Sequence, residues 1–363
     1  MSISIVGGHG PDAQPESGLP RPRPLRAVGP GRIVVSVSSD DVAVAAQAAV
    51  DRLAIGRNPD VAADDPWAEA GRKILRFHLS RMLARVPGTI AGDDVEEVHA
   101  MRVAARRIRA GWRVFGDGFE RPVVRDHVRQ LRRLGDQLGE VRDLDVQTGI
   151  LVAFRDGRSK RERLALTPLL DAWTAQRAAR HGELLDVLRS PWFTDFIEDH
   201  ETLVLTPGAG ARPVGPNLAA TVRMRAPAVA WQAYQATWAF ESALPDADVT
   251  TLHELRITTK WLRYTLESIR EPMEPAATEL IRRVVALQDH LGDIHDFHAA
   301  ADRARTTAAT TTGLKPGQRV AIERFAAAKD LRVERLRRRI GPTWRGVADA
   351  DYRRRLGRSL ARL

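Results

Sequence analysis

Along residues 95–119, His99, Arg102, Arg106, Arg109 and Arg113 follow one another at alternating steps of three and four residues. An α-helix turns about 100° per residue, so these side chains share one narrow sector, with Val98, Met101, Ala105, Ile108 and Trp112 in the sector beside it. One face packs and the next is cationic. Like charges at such spacings repel by a few tenths of a kcal/mol per pair, a cost that solvation or a bound anion must offset. Arginine presents paired donors to phosphate oxygens, and histidine adds a donor whose charge depends on pH. The chemistry on offer is anion binding. For one row alone, a solvated charged face explains the pattern equally well.

A second row changes that balance. His253, Arg256, Lys260 and Arg263 repeat the positions of His99, Arg102, Arg106 and Arg109 at a constant offset, and Leu252, Leu255, Leu262 and Leu266 repeat the apolar face. A charged surface that arose by accident would not recur with histidine, basic row and apolar row all in phase. Each row is followed by an element with its own echo: Leu138, Gly139, Glu140 and Asp143 correspond to Leu291, Gly292, Asp293 and Asp296. Duplication on this scale predicts two similar helical bundles related by a pseudo-twofold axis.

The bulk composition agrees with an anionic partner. The 363 residues carry 56 Lys and Arg against 46 Asp and Glu, a net charge of +10, and only five of the basic residues are lysine. Such a balance suits nucleic acid, a phosphate polymer or lipid headgroups. The absence of cysteine excludes disulfides, thiolate metal sites and cysteine nucleophiles. The first residues lack the basic and apolar regions of a signal peptide, and no uncharged apolar run reaches the ~18 residues of a membrane helix. A cytoplasmic protein with no membrane association is expected.

The elements that must position the rows read as helices almost throughout. Residues 1–65 form an N-terminal extension, largely disordered and rich in Gly and Pro, with a short strand expected at Arg32–Ser39 and an Ala-rich helix from Val42 to Leu53. A helix from Trp67 to Val86, stopped by Pro87 and Gly88, precedes the first row. The first LG helix runs from Pro122 to Ile150, with Leu131, Leu134, Leu138 and Val141 on its buried side, and helices follow at Leu164–Leu188 and Trp192–Leu205. A Pro/Gly linker at Thr206–Pro216 divides the first half, 66–205, from the second, 217–345, where a helix at Leu218–Leu244 precedes the second row. Gln318–Arg339 gives a last basic helix, and 346–363 a basic C-terminal tail. The fold class is all-α.

The stretches VHAMRVAARRIRA, LGEVRDLDV, LHELRITTKWLRYTLE and LQDHLGD resemble the CHAD family, the conserved histidine α-helical domain, over roughly residues 66–345. The resemblance implies two four-helix bundles with pseudo-twofold symmetry and a basic central cleft that binds inorganic polyphosphate, and association with polyphosphate granules. It places His99, Arg102, Arg106 and Arg109 in the first family motif, Arg132 and Arg142 at basic positions of the first LG helix, and His253, Arg256, Lys260 and Arg263 in the second motif. Two positions depart from the pattern: Val285 stands where a basic residue is expected, and His295 stands opposite Arg142. The first half of the cleft is therefore expected to bind more strongly. Members are often fused to a CYTH domain, but residues 1–65 are too short for one and lack its alternating acidic strand, so no hydrolytic activity of that kind and no cofactor is expected.

Two rivals follow from the same residues. Nucleic-acid binding suits the charge, yet single-strand binders add aromatic stacking platforms; Trp112 belongs to the apolar face, Trp261 is read as lying off the row, and no duplex-reading motif is recognisable. A metal-dependent phosphohydrolase would need Asp289, Asp293, His295, Asp296 and His298 as ligands at helical spacing. The in-phase positions Glu140 and Asp143 favour structural ion pairs there instead. No phosphate-cradling glycine loop or nucleophile elbow is present, so a binding protein and not an enzyme is expected.

Overall fold

The computed structural model describes residues 37–215 and 219–363. All regular elements among them are helices: α1 Ser39–Leu53, α2 Trp67–Leu83, α3 Val86–Ala91, α4 Val95–Phe115, α5 Arg121–Asp156, α6 Lys160–Ala165, α7 Thr167–Leu188, α8 Pro191–Leu205, α9 Val222–Trp238, α10 Val249–Ser268, α11 Arg270–Met273, α12 Ala276–Thr310, α13 Pro316–Arg337, α14 Gly341–Ala348 and α15 Ala350–Leu360. Most of the strand expected at Arg32–Ser39 lies outside the described residues. Its last residue, Ser39, opens α1, and Ser38 caps that helix by accepting from the Asp41 backbone N–H at 3.1 Å.

Local chemistry sets the ends of the row helices. Asp94 caps α4 by accepting from the Glu96 N–H at 2.8 Å, with Glu96 and Glu97 in the first turn where the helix dipole favours acids. Asp248 caps α10 in the same way, through the Thr251 N–H at 2.7 Å. Pro87 and Gly88 do not terminate α2; that helix ends at Leu83, and Pro87 sits in the first turn of α3, where a missing N–H costs nothing. The two LG helices are the longest elements, at 36 and 35 residues.

The order of a leading helix, a row helix, a long helix and a closing helix occurs twice, as α2, α4, α5, α7 and as α9, α10, α12, α13, and consecutive members of each set pack on one another. Between the sets, α4 packs on α10 and α5 on α12. One hydrophobic core runs through both sets, from Leu75, Met101 and Leu134 to Leu255, Leu262 and Leu287. A second core gathers the far ends of the long helices: Leu144 and Leu151 of α5, Trp173 of α7, Ala300 and Ala304 of α12, and Phe325 of α13. There the buried Trp173 Nε1–H donates to Thr307 Oγ1 at 3.0 Å.

The stretch read as a basic tail is part of the core. Tyr352, Leu356 and Leu360 of α15 are buried, the Tyr352 ring stacks on Tyr234 of α9 at 5.5 Å, and Asp351 accepts from Arg283 of α12 at 3.0 Å. Its arginines occupy the outer side of an amphipathic helix.

Where α2 crosses α4, two glycines remove the side chains that would hold the helices apart. A methyl group on Gly71 would lie 2.7 Å from Phe115 Cβ, and one on Gly111 would lie 3.1 Å from Ile74 Cγ2. The apolar side of the first row is seated by this contact. Gly71→Ala is expected to cost about 1–3 kcal/mol by overpacking, read as a lower denaturant midpoint in equilibrium unfolding. An unchanged midpoint would show that α2 and α4 are not in such close contact.

Candidate functional site

Each row lies on the helix expected of it, and the apolar residues beside it are buried: Val98, Met101, Ile108 and Trp112 on α4, Leu252, Leu255, Leu262 and Leu266 on α10. Burying those stripes against neighbouring helices turns the two cationic rows toward one seam between α4 and α10. Arg106, Arg109 and Arg102 from α4 all act on Lys260 of α10 as repelling neighbours, and Arg263 of α10 acts on Arg106.

The seam is electrostatically stressed. Burial first, then Arg256, Arg106, Arg109 and Arg102, push the Lys260 ammonium down to about 8. Burial likewise pulls Arg106, Arg109 and Arg256 below the ordinary arginine range, reinforced by neighbouring arginines in each case. The Nε of Arg106 is buried with no hydrogen-bond partner among the described residues. His99 is half-buried and held below its ordinary value by burial, then by Arg142, with Glu96 working the other way. Burial, more than the repulsion expected from the sequence, is what favours its neutral form.

Carboxylates that sequence reading left out of the site limit this stress. Asp143 of α5 pairs with Arg102 at 3.3 Å, and Arg142 reaches Glu96 at 3.5 Å. Asp296 of α12 faces Arg256 and also Asp143; burial first of all raises it above the ordinary carboxylate range, with the attraction of Arg256 opposing that and Asp143 adding to it. Glu267 binds cations from both row helices, Arg263 Nε at 2.8 Å and Arg107 Nη2 at 3.2 Å, while Arg263 Nη1 also donates to Gln288 at 3.2 Å. Glu267 continues the three-four rhythm past Arg263 and occupies the position that Arg113 holds in the first row. The spacing alone could have found it.

Trp261 lies off the row but within reach of its cations: the Arg113 guanidinium lies 4.4 Å from its ring centroid and Lys260 Nζ 5.0 Å from it. Cations from both helices therefore rest on one aromatic ring. Position 261 falls well outside the sector counted from the α10 residues alone, but α4 packs close enough for Arg113 to reach across.

The two halves of the seam differ. Arg102 lies against Gly139, where a methyl group would be 3.7 Å from its Nε and Nη2, and Arg109 against Gly135 at 3.8 Å from Nη1, whereas a methyl group on Gly292 would meet open space. The exposed Arg132 stands beside Arg109, while the in-phase position is Val285. His253 is exposed and lies against His295 with ring centroids 5.2 Å apart and the rings tilted, at the positions in phase with His99 and Arg142. The first row thus presents more cations than the second.

The residues considered as metal ligands are dispersed. His295 lies against His253, Asp296 faces arginines, and His298 pairs with Asp302 at 3.3 Å. Among the described residues no group of three His, Asp or Glu side chains is placed to hold a metal ion, and no helix is long and apolar enough to cross a membrane.

An all-α fold among the described residues, in which the two longest helices back a pair of facing basic helices, defines a class by its form. The family model described as the CHAD domain matches residues 73–305, more than half of the sequence, and the chain belongs to the CHAD family. Two solved structures share its fold. PptA from Streptomyces chartreusis is 18% identical with a TM-score of 0.63, the match covering 77% of this chain and 100% of that one. The CHAD domain from the plant Ricinus communis is 22% identical with a TM-score of 0.62, covering 79% and 97%. No curated protein matches the sequence.

The facing of the two rows is directly measurable. Lys260 is expected to titrate near pH 8, and Arg256→Ala to move its midpoint upward by removing the largest charged neighbour, as read by NMR of the lysine side chain. A midpoint in the ordinary lysine range, unmoved by the substitution, would mean that Lys260 does not face the arginines.

Proposed function

We propose that the seam between α4 and α10 binds inorganic polyphosphate and that the protein is a binding module, not an enzyme. The observation that supports this most strongly is the meeting of half-buried cations from two helices around Lys260, with Arg106 Nε unpartnered and Lys260 held by no ion pair among the described residues. A protein accepts such repulsion where a polyanion relieves it. Polyphosphate offers closely spaced charge and no bases, which matches rows rich in donors. Arg102, Arg106, Arg109, Arg113 and Arg256 supply guanidinium donors, Lys260 a point charge, and His99 and His253 further donors at the two ends of the rows. Arg132 and Arg142 extend the first row onto α5. Arg263, already held by Glu267 and Gln288, contributes least. The same contacts would retain the protein at a polyphosphate granule.

Nucleic acid is the second reading, and Trp261 is the observation in its favour. Its ring, however, already carries Arg113 and Lys260, which favours a role in seating cations over one in stacking bases. Competition separates the two: duplex DNA or RNA displacing long-chain polyphosphate at equal charge concentration would overturn the polyphosphate assignment.

Affinity is expected to fall steeply with salt, as counterion release dictates, and Arg106→Ala with Lys260→Ala to weaken binding by an order of magnitude or more in calorimetric titration. Unchanged affinity in that double variant would remove the rows from the mechanism. A bound polyanion favours the charged forms of His99 and Lys260, whose free forms shed protons early. Binding therefore takes up protons, and affinity rises as pH falls from 9 to 6. Calorimetry in two buffers of different ionisation enthalpy reads the uptake; a pH-independent affinity would exclude it.

A further inference from the structure

Outside the seam, uncompensated cations meet again at the far end of the long helices. Lys329 of α13 holds its Nζ 5.0 Å from the ring centroid of Phe154, 5.2 Å from that of Phe325 and 5.5 Å from that of Phe297, so residues of α5, α12 and α13 surround one ammonium. Arg158, just past α5, lies over Phe154 at 4.3 Å, and Arg332 over Phe297 at 5.9 Å. The rings fix three cations on an apolar floor. Burial, then Arg158 and Arg332, lower the Lys329 ammonium, the same kind of stress that marks Lys260.

The acids nearby are committed elsewhere. Glu162, on which Arg158 acts as an attracting neighbour, accepts from the Ser159 hydroxyl at 2.9 Å and from the Ser159 N–H at 3.2 Å in the capping box of α6. Asp330 and Glu323 both bind Arg305. Among the described residues, none of Arg158, Lys329 and Arg332 has a carboxylate within ion-pair distance, whereas Arg305 beside them holds both Asp330 and Glu323. Phe154 lies eleven residues beyond Asp143 on α5, about 16 Å of helix axis from the seam.

We propose that Arg158, Lys329 and Arg332 form a second anion-binding patch, which engages the part of a long linear polyphosphate that extends beyond the α4–α10 seam. The proposal rests on the polyphosphate reading of the seam. A short chain fills the seam alone; a longer one, tethered there, meets the patch at high effective concentration and gains affinity from contacts too weak to hold a free anion. The patch makes the protein selective for length.

The test compares tripolyphosphate with a long-chain polyphosphate on the full chain. Arg158→Ala with Arg332→Ala is expected to weaken long-chain binding roughly tenfold and to lower its log–log salt slope by about one to two, with tripolyphosphate affinity unchanged. Arg282→Ala with Arg354→Ala, which removes the same charge from exposed sites on α12 and α15, is expected to change neither. Long-chain affinity and slope unaltered by the patch variant would overturn the proposal, as would an equal loss in the control or an equal loss for tripolyphosphate. Failure of the seam reading shows separately, as tripolyphosphate affinity indifferent to Arg106→Ala with Lys260→Ala.

Discussion

Repulsion between cations held side by side is the constraint to which the rest of the structure answers. Arg106, Arg256 and Lys260 would separate if free to do so, and their own helices offer no partner close enough to stop them. What holds them is apolar burial behind the seam, where Met101, Ile108 and Trp112 of α4 and Leu255, Leu262 and Leu266 of α10 are removed from water. Burial of one such side chain contributes about 1.5–3 kcal/mol, so a few of them outweigh repulsions of a few tenths each. The carboxylates around the seam reduce the remainder: Asp143 on Arg102, Glu267 across Arg107 and Arg263.

The three-four rhythm made both rows and both buried stripes readable without a structure, because helical period alone decides which side chains share a face. The in-phase repeat also revealed which long helix follows each row. Three features escaped for physical reasons. Glu267 was hidden because acids were not sought at the continuation of a basic row. The seat that Trp261 gives Arg113 was missed because a sector drawn on one helix ignores the reach of an arginine from its neighbour. The residues of α15 were set aside because their arginine content masked Tyr352, Leu356 and Leu360, whose spacing is that of a buried helical stripe. Side-chain pairs between elements far apart in sequence, such as Trp173 with Thr307, leave no local trace at all.

The two rows repeat one spacing in the sequence and differ in charge. Arginine at 113 corresponds to glutamate at 267 and arginine at 132 to valine at 285, and where Arg142 acts on His99 in the first half, His295 lies against His253 in the second. Once two equivalent helices meet at one seam, neither needs to keep every cation. The second row can give up charge at Glu267 and use it to fasten α10 to α4 through Arg107, while the first retains the fuller set.

The burial of α15 also bears on how the chain is made. Tyr352 packs on Tyr234 of α9, the helix that opens the second set, and Asp351 reaches Arg283 on α12. During synthesis α9, α10 and α12 emerge well before residues 350–360, so the second row is made while the core behind it is still open. Until that closing helix arrives, a nascent chain exposes apolar surface on one side of α9 and α12 and unopposed positive charge on α10.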